Sequence, residues 1–337
     1  MDDRLRRYVT LPRYREALAL PPQQTEVYEP LAQGEYNKNF VFTHPVTGKR
    51  LVFRVNYGSQ MHLSDQIGYE AAALKQLEPS GRTPKVWYVD GSLTDLDHGV
   101  LVMDWLPGRA LDYERPEELA EAAAILADIH CVPVTKPEEL IAPENSLRAI
   151  LEECEAMVKV YMDSPLAPES KKQKIRTLLD LAWEKENDLQ GKPFQRCIIN
   201  TELNNTNFLM DREGRSSLVD WEKPLYGDPA QDLGHFLAPT TTFWKTDIIF
   251  SKEQIDGVLE AYIAAVEKQE TPIDLSGIRE RTENFLQVTC LRGITWCAMA
   301  WVEYQDPERA LTNESTRKKL DQYLEDSFLD RIASYVE

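Results

Sequence analysis

The chain changes character at Leu106-Pro107-Gly108. Before that break the sequence is strand-like. Val27–Gln33, Phe40–Thr43 and Arg50–Asn56 are apolar-rich segments separated by polar turns at 34–39 and 44–49, the pattern of an antiparallel meander. Asp65–Leu77 follows with Ile67, Ala71, Leu74 and Leu77 roughly on one helical face, and Lys85–Val89 and Val100–Trp105 predict two more strands. A short helix-like stretch precedes all of this and ends at Pro21-Pro22. After the break the periodicity is helical, over Glu117–His130, Ser146–Met162, Glu169–Leu189, Asp232–Leu237, Lys252–Lys268 and Leu275–Tyr304. Apolar residues that change from strand spacing to helical spacing cannot share one layer. The expectation is an α+β chain in two lobes, a small antiparallel β-rich lobe over 1–105 and a larger helical lobe over 106–337.

Composition excludes several classes. The 337 residues are 42% hydrophobic and 28% charged, values of an ordinary globular protein. The longest apolar run of interest, Ile294–Val302, is too short to span a bilayer, and the first ten residues have no apolar signal core, so no membrane partner is expected. Five scattered cysteines fit a reducing, cytoplasmic setting, and they read as small core residues rather than nucleophiles. The net charge of −18 comes without a basic patch, which argues against nucleic acid. Such acidity favours cationic small molecules weakly; its plainer reading is a well-solvated surface. Nothing in the sequence fixes an oligomeric state.

The chemistry concentrates between Cys197 and Trp221. There the helices are interrupted by Phe208–Met210 and Ser216–Val219, two short strands around Asp211-Arg212-Glu213-Gly214-Arg215. A glycine in such a turn predicts a hairpin. A roughly symmetric hairpin brings Asn207 and Asp220 together at its open end. One amide oxygen beside one carboxylate suits magnesium, which takes hard oxygen ligands and substrate phosphates. Glu202, five residues before Asn207, could accept a proton from a hydroxyl. These are the parts that phosphoryl transfer needs. The competing reading is a solvated turn, because Asn, Asp and Thr readily bond their own backbone.

The order of several such segments resembles the aminoglycoside phosphotransferase/choline kinase-like superfamily, over roughly Val27 to Leu237. The matching segments are Leu126-Ala127-Asp128-Ile129-His130, the Glu202–Asn207 spacing, Val219-Asp220-Trp221-Glu222, Gly227-Asp228-Pro229 and Asp232-Leu233. The resemblance implies a two-lobed protein-kinase-like fold that uses ATP and Mg2+. It makes Glu202, Asn207 and Asp220 the catalytic set, with Asn207 and Asp220 as metal ligands. It makes Arg54 the phosphate-binding base, Glu70 its anchoring carboxylate, and Gly34 with Asn37 the turn over the phosphates. Met103, Asp104 and Leu106 become the hinge beside the purine. Arg54 supports this independently, because an unpaired charge within Val52-Phe53-Arg54-Val55 would be costly.

Three positions depart from the pattern. The catalytic carboxylate is usually Asp, whereas Glu202 is one methylene longer, and Asn200 and Asn204 stand where histidines are common. The implied function is a kinase acting on a hydroxyl of an amino-alcohol, aminoglycoside or sugar-like metabolite. The alternatives are a nucleotide-binding, pseudokinase-like regulator with little turnover and a metabolite-binding protein that takes no nucleotide.

Other motifs carry less. Gly48-Lys49-Arg50 lacks the first glycine and the hydroxyl of a P-loop. The five histidines show no paired metal spacing, and His130 reads as a packed helix end. Trp296, Trp301 and Tyr304 could cage a quaternary ammonium, but a buried helix is the preferred account, with Arg292 and Glu303 as its polar members. Asp228 and Asp232 read as structural, fixing the loop after Asp220.

Overall fold

The computed structural model describes the chain apart from Glu35, Gln60, residues 190–193 and 306–312, and Glu337. Glu35 belongs to the polar turn read at 34–39 and lies outside the described residues. The rest is α+β and forms two compact units: Met1–Leu111 with Val132–Ile141 and Thr206–Leu225, and Asp112–Cys131 with Ala142–Asn205 and Tyr226–Glu337.

The first unit opens with two short helices instead of one stretch, α1 (Asp3–Tyr8) and α2 (Pro12–Ala17). Asp2 caps α1 by accepting the Arg4 and Leu5 N–H groups at 3.0 Å. Pro12 starts α2 at a position that needs no N–H donor. A five-stranded antiparallel sheet follows: β1 (Glu29–Gln33), β2 (Asn37–Thr43), β3 (Arg50–Asn56), β4 (Val86–Asp90) and β5 (Gly99–Asp104). Between β3 and β4 lies α3 (Gln66–Leu77), capped by the Asp65 carboxylate on Gly68 N–H at 2.8 Å.

The spatial order is β1-β2-β3-β5-β4, so the meander holds only through β3. The apolar run Val100–Met103 is buried throughout and takes the inner place beside β3. β4 is half-buried at every position, as suits an edge. Strand alternation gives the sheet two different faces. Leu51, Phe53 and Val55 join Tyr8, Tyr14, Val100 and Val102 in one aromatic-rich core. Burying a side chain such as Phe53 contributes about 1.5–3 kcal/mol. The opposite face of β3 carries Val52, Arg54 and Asn56, and α3 lies on that side.

β2 begins at Asn37, three residues before the expected strand, because Asn37, Lys38 and Asn39 pair with Asn56, Val55 and Arg54. The unit also continues past the boundary read at Trp105 and Leu106. β6 (Arg109–Ala110) pairs with Phe208–Met210, which in turn pairs with Ser217–Leu218. Gly108, at φ 137°, makes the approach possible: a Cβ there would lie 2.9 Å from the Leu209 carbonyl carbon. The hairpin holding Asn207 and Asp220 therefore belongs to the β-rich unit.

The second unit is mostly helical: α4 (Pro116–His130), α5 (Ser146–Asp163), α6 (Glu169–Leu189), α7 (Pro229–Leu237), α8 (Pro239–Thr246), α9 (Lys252–Val266), α10 (Ile278–Glu303), α11 (Glu314–Tyr323) and α12 (Asp326–Val336). Helices α8, α11 and α12 have no counterpart in the sequence reading. α7 starts three residues earlier than expected, because Asp228 caps it and Pro229 opens it. α4 packs on α9, and α10 packs mainly on α5 and α7. The 26 residues of α10 are apolar enough, by length and composition, to cross a membrane, which the shorter run Ile294–Val302 does not suggest. Much of that apolar surface is buried within the unit, by Phe285, Leu286, Leu291 and Ile294 among others.

Candidate active site

Within the first unit, a buried arginine gathers three carboxylates. Arg54 Nη1 lies 2.6 Å from Glu70 Oε1 and 3.7 Å from Glu222 Oε1, and Nη2 lies 3.8 Å from Asp220 Oδ1. Its Nε donates to Asn39 Oδ1 at 3.1 Å, across the β2–β3 pairing. Burial works against the charge on Arg54. The charges of Glu70, Asp220 and Glu222 overcome it and hold the guanidinium above its ordinary value. The same burial pushes the Glu70 carboxyl up, against the attraction of Arg54. Burial pushes Glu222 up to about 7, assisted by the Asp220 charge and opposed by Arg54.

The hairpin brings its ends together as the sequence predicts. Phe208 faces Leu218, and Val219 N–H donates to the Asn207 carbonyl at 2.9 Å, so Asp220 follows directly beside Asn207. Asp220 has a left-handed backbone, φ 65°. Such a conformation is uncommon outside glycine but is tolerated by Asp and Asn. Asn207 is buried, and Trp221 is locked behind Asp220 by an indole N–H to the Leu218 carbonyl at 3.1 Å.

These residues suit a divalent cation. Asn207 and Asp220 offer an amide oxygen and a carboxylate, while Glu70 Oε2 is buried with no hydrogen-bond partner among the described residues. Burial chiefly raises Glu70 and Glu222, and the neighbouring Asp220 charge adds a repulsion. A cation with oxygen ligands relieves it.

Other expected nucleotide contacts fall in the same unit. Gly34 N–H donates to the Asn37 carbonyl at 2.9 Å and closes the β1–β2 turn; a Cβ on Gly34 would meet only open space. Asn37 is not on the turn but opens β2. Its carboxamide is engaged, accepting from Asn56 Nδ2 at 2.9 Å and donating to Glu222 Oε1. Met103 is buried in β5. Asp104 is used internally: its N–H donates to the Lys85 carbonyl at 2.9 Å and its carboxylate accepts the Trp87 indole N–H at 2.7 Å. Leu106 lines a cleft with Lys49, Arg50, Asp104, Trp105 and Pro107. Glu222, Asn39, Asn56 and Gln66 were not singled out from sequence. A signal existed: Asn37 and Asn39 alternate on β2 opposite Asn56 and Arg54, which puts four polar side chains on one sheet face.

Glu202 belongs to the second unit. Asp232, fully buried, accepts the Asn200 and Thr201 N–H groups, both at 2.8 Å. Asp232 thus fixes the backbone before Glu202, not the loop after Asp220. Thr201 is held at φ 71°, a conformation that a β-branched residue adopts at a cost of about 1–3 kcal/mol. Asn200 Oδ1 then accepts the Glu202 N–H at 3.0 Å, and His235 Nδ1 accepts that of Leu203 at 3.1 Å. His130 is a packed helix end, as expected. Its Nε2 faces Asp232 at 3.2 Å and its Nδ1 lies 2.9 Å from Tyr262 Oη. Asp228 caps α7 and binds Arg281 Nε at 2.8 Å.

Arg292 on α10 forms a two-pronged pair with Glu153, at 2.8 and 2.9 Å. Burial opposes its charge. The hydrogen bonds and charge of Glu153, with a contribution from the Glu202 charge, hold it above its ordinary value. Arg292 is therefore an electrostatic neighbour of Glu202. Trp296 and Trp301 of α10 pack against different partners. Trp296 is 39% exposed and packs edge-on against Trp244, whereas Trp301 packs against Tyr161 and donates to Asp321 at 3.0 Å. All five cysteines are buried, and burial pushes Cys154 and Cys290 up to about 12, which removes them as nucleophiles.

Comparison with known proteins identifies the family and the fold. Residues 27–273 match the model of the phosphotransferase enzyme family, and the chain belongs to that family. None of the curated proteins compared matches it. Several solved structures share its fold. A choline/ethanolamine kinase family protein from Mesorhizobium loti is 18% identical with a TM-score of 0.59, covering 96% of this chain and 97% of that one. An ethanolamine kinase from Plasmodium vivax is 14% identical with a TM-score of 0.64, covering 97% and 88%. A spectinomycin phosphotransferase, solved with ADP and spectinomycin, is 12% identical with a TM-score of 0.60, covering 93% of each chain.

Proposed function

We propose that this member of the phosphotransferase enzyme family moves the γ-phosphoryl group of ATP to a hydroxyl of an amino-alcohol, aminoglycoside or sugar-like metabolite. The observation that carries the reading is the buried Arg54, held by Glu70 at 2.6 Å and facing Asp220. A guanidinium presented on a strand and braced by a helix carboxylate is preorganised for phosphate oxygens. Leu106 N–H is the donor for a purine ring nitrogen. Asn207 and Asp220 would hold magnesium, which when bound neutralises phosphate charge.

Glu202 is assigned to the acceptor. Asp232 and Asn200 fix its backbone, so its carboxylate is presented from a rigid loop. It would accept a hydrogen bond from the substrate hydroxyl, orient it, and take its proton as the new phosphorus–oxygen bond forms and the bond from the γ-phosphorus to the ADP oxygen breaks. Positioned proton acceptors contribute about 10²–10⁴-fold. The test is phosphate transfer from ATP across a panel of such acceptors, for wild type and Glu202→Gln. Loss of about 10²-fold or more in kcat supports the role of Glu202; unchanged kcat removes it.

A second reading follows from the same residue. Glu202 is one methylene longer than the usual Asp, and a misplacement of about 1 Å can cost on the order of 10² in rate. A nucleotide-binding protein with little turnover is the outcome if wild type binds ATP with magnesium but phosphorylates no acceptor.

A further inference from the structure

Two side chains of α3 grip the main chain just beyond Asp220. Gln66 Nε2 donates to the Glu222 carbonyl at 2.7 Å, and Tyr69 Oη donates to the Pro224 carbonyl. Glu70, one helical turn from Gln66, pairs with Arg54. Gln66, Tyr69 and Glu70 fall on one face of α3 by their spacing. One rigid helix therefore touches both the phosphate-binding arginine and the segment that carries Asp220.

The grip is supported from behind. Gln66 Oε1 accepts from Ser59 Oγ at 2.5 Å, and Ser59 Oγ accepts from Leu63 N–H at 2.9 Å. The carboxamide is thereby fixed with its nitrogen toward Glu222. Tyr69 Oη also accepts the Ile141 N–H at 3.2 Å, which fixes the phenol. Asn37 also donates to the Glu222 carboxylate. Asp220, left-handed at φ 65°, is thus followed by a segment held at its main chain by α3 and at its side chain by Asn37. A conformation that costs about 1–3 kcal/mol persists only where its surroundings over-determine it.

We propose that Gln66 is a positioning residue for the metal-binding carboxylate: through the Glu222 carbonyl it sets where Asp220 presents its oxygens, with Tyr69 as its accessory. This rests on the reading of Asp220 as a magnesium ligand. Gln66 touches neither nucleotide nor metal in this scheme. Groups that orient a ligand from behind typically control metal affinity by about 10–100-fold.

The experiment measures Mn2+ binding by electron paramagnetic resonance to the full chain with a non-hydrolysable ATP analogue. It compares wild type, Gln66→Met and Tyr69→Phe. Met preserves length and packing but removes the donor. Nucleotide affinity is measured in parallel with EDTA present. The expected result is a loss of about tenfold or more in Mn2+ affinity for Gln66→Met. Tyr69→Phe, which removes one hydroxyl and guards against a folding failure at Gln66, should lose less but in the same direction. EDTA-phase nucleotide affinity should stay within about twofold, because Arg54 and Glu70 are intact. A merely structural role would weaken both equally, and that result overturns the proposal, as does unchanged Mn2+ affinity in both variants. If wild type binds the nucleotide but no Mn2+, the proposal falls while nucleotide binding stands. If it binds neither, the phosphotransferase reading falls with it.

Discussion

Arg54 Nη1 and Glu70 Oε1 stand 2.6 Å apart, both side chains more than nine-tenths buried. Burial alone would make this pair costly. It persists because Asn39, Asp220 and Glu222 supply further partners for the guanidinium. Lysine could keep the charge but not the planar fork. Arg54→Lys should therefore weaken Mg·ATP binding by about tenfold or more, on the scale of one lost charged hydrogen bond of about 1.5–3 kcal/mol. Arg54→Ala should in addition destabilise the fold by about 3–5 kcal/mol, the usual consequence of orphaning a buried partner. Calorimetry and urea unfolding separate the two effects.

Asp232 gives a different signature. Its carboxylate accepts two backbone N–H groups at 2.8 Å immediately before Glu202. Asparagine keeps one acceptor and turns a donor toward a donor. Asp232→Asn should cost about 1–3 kcal/mol of stability. It should lower kcat while leaving the Kd for nucleotide near the wild-type value, since Arg54, Asn207 and Asp220 lie in the other unit. A change in nucleotide Kd with kcat intact would contradict the assignment.

Away from the site, Arg15 and Glu26 form a buried pair with bonds at 2.8 and 3.2 Å. Burial pushes the Glu26 carboxyl up, but the Arg15 hydrogen bond and charge, with backbone donors, bring it below its ordinary value. A depressed carboxylate stabilises the fold fully above its unfolded value, about 4.3, and loses that contribution as pH falls through the folded value. Glu26→Ala should cost about 3–5 kcal/mol near pH 7. The gap between wild type and variant should shrink below about pH 4. Urea unfolding from pH 7 to pH 3 checks both the size and the sign.

Gly234 marks where α7 meets α10. A Cβ there would lie 2.6 Å from Leu286 N and from Phe285 Cβ. Backbone cannot rotate away as a side chain can. Gly234→Ala should destabilise by about 1–3 kcal/mol. An unchanged unfolding midpoint would show that the two helices separate at no cost.

Much of this was legible in the sequence. Arg54 within an apolar strand, Glu70 on a helix and the spacing of Asn207 and Asp220 around a glycine turn all pointed to the arrangement found in the first unit. The resemblance through Asp232-Leu233 named the family. What sequence could not supply was register. Asn37 reads as part of the polar turn at 34–39; only pairing with Asn56 makes it the first residue of β2. Gln66 was not singled out, since nothing local shows that its amide meets a carbonyl 156 residues later. Asp232 was read as structural but assigned to the wrong loop, because chain proximity to Asp220 outweighed a contact with Asn200 and Thr201. The sheet order missed for the same reason: α3 carries the chain past β3, and the burial of β5 over β4 is a tertiary outcome.

On this reading the Arg54, Asn207 and Asp220 group binds ATP with a divalent cation. Calorimetric titration of a non-hydrolysable ATP analogue, with magnesium and with EDTA, into wild type and Asp220→Asn measures this. Wild type should bind saturably and at least about tenfold more tightly with magnesium, and Asp220→Asn should lose the magnesium effect. Wild-type binding that is absent, or equally tight with and without magnesium, would contradict this reading.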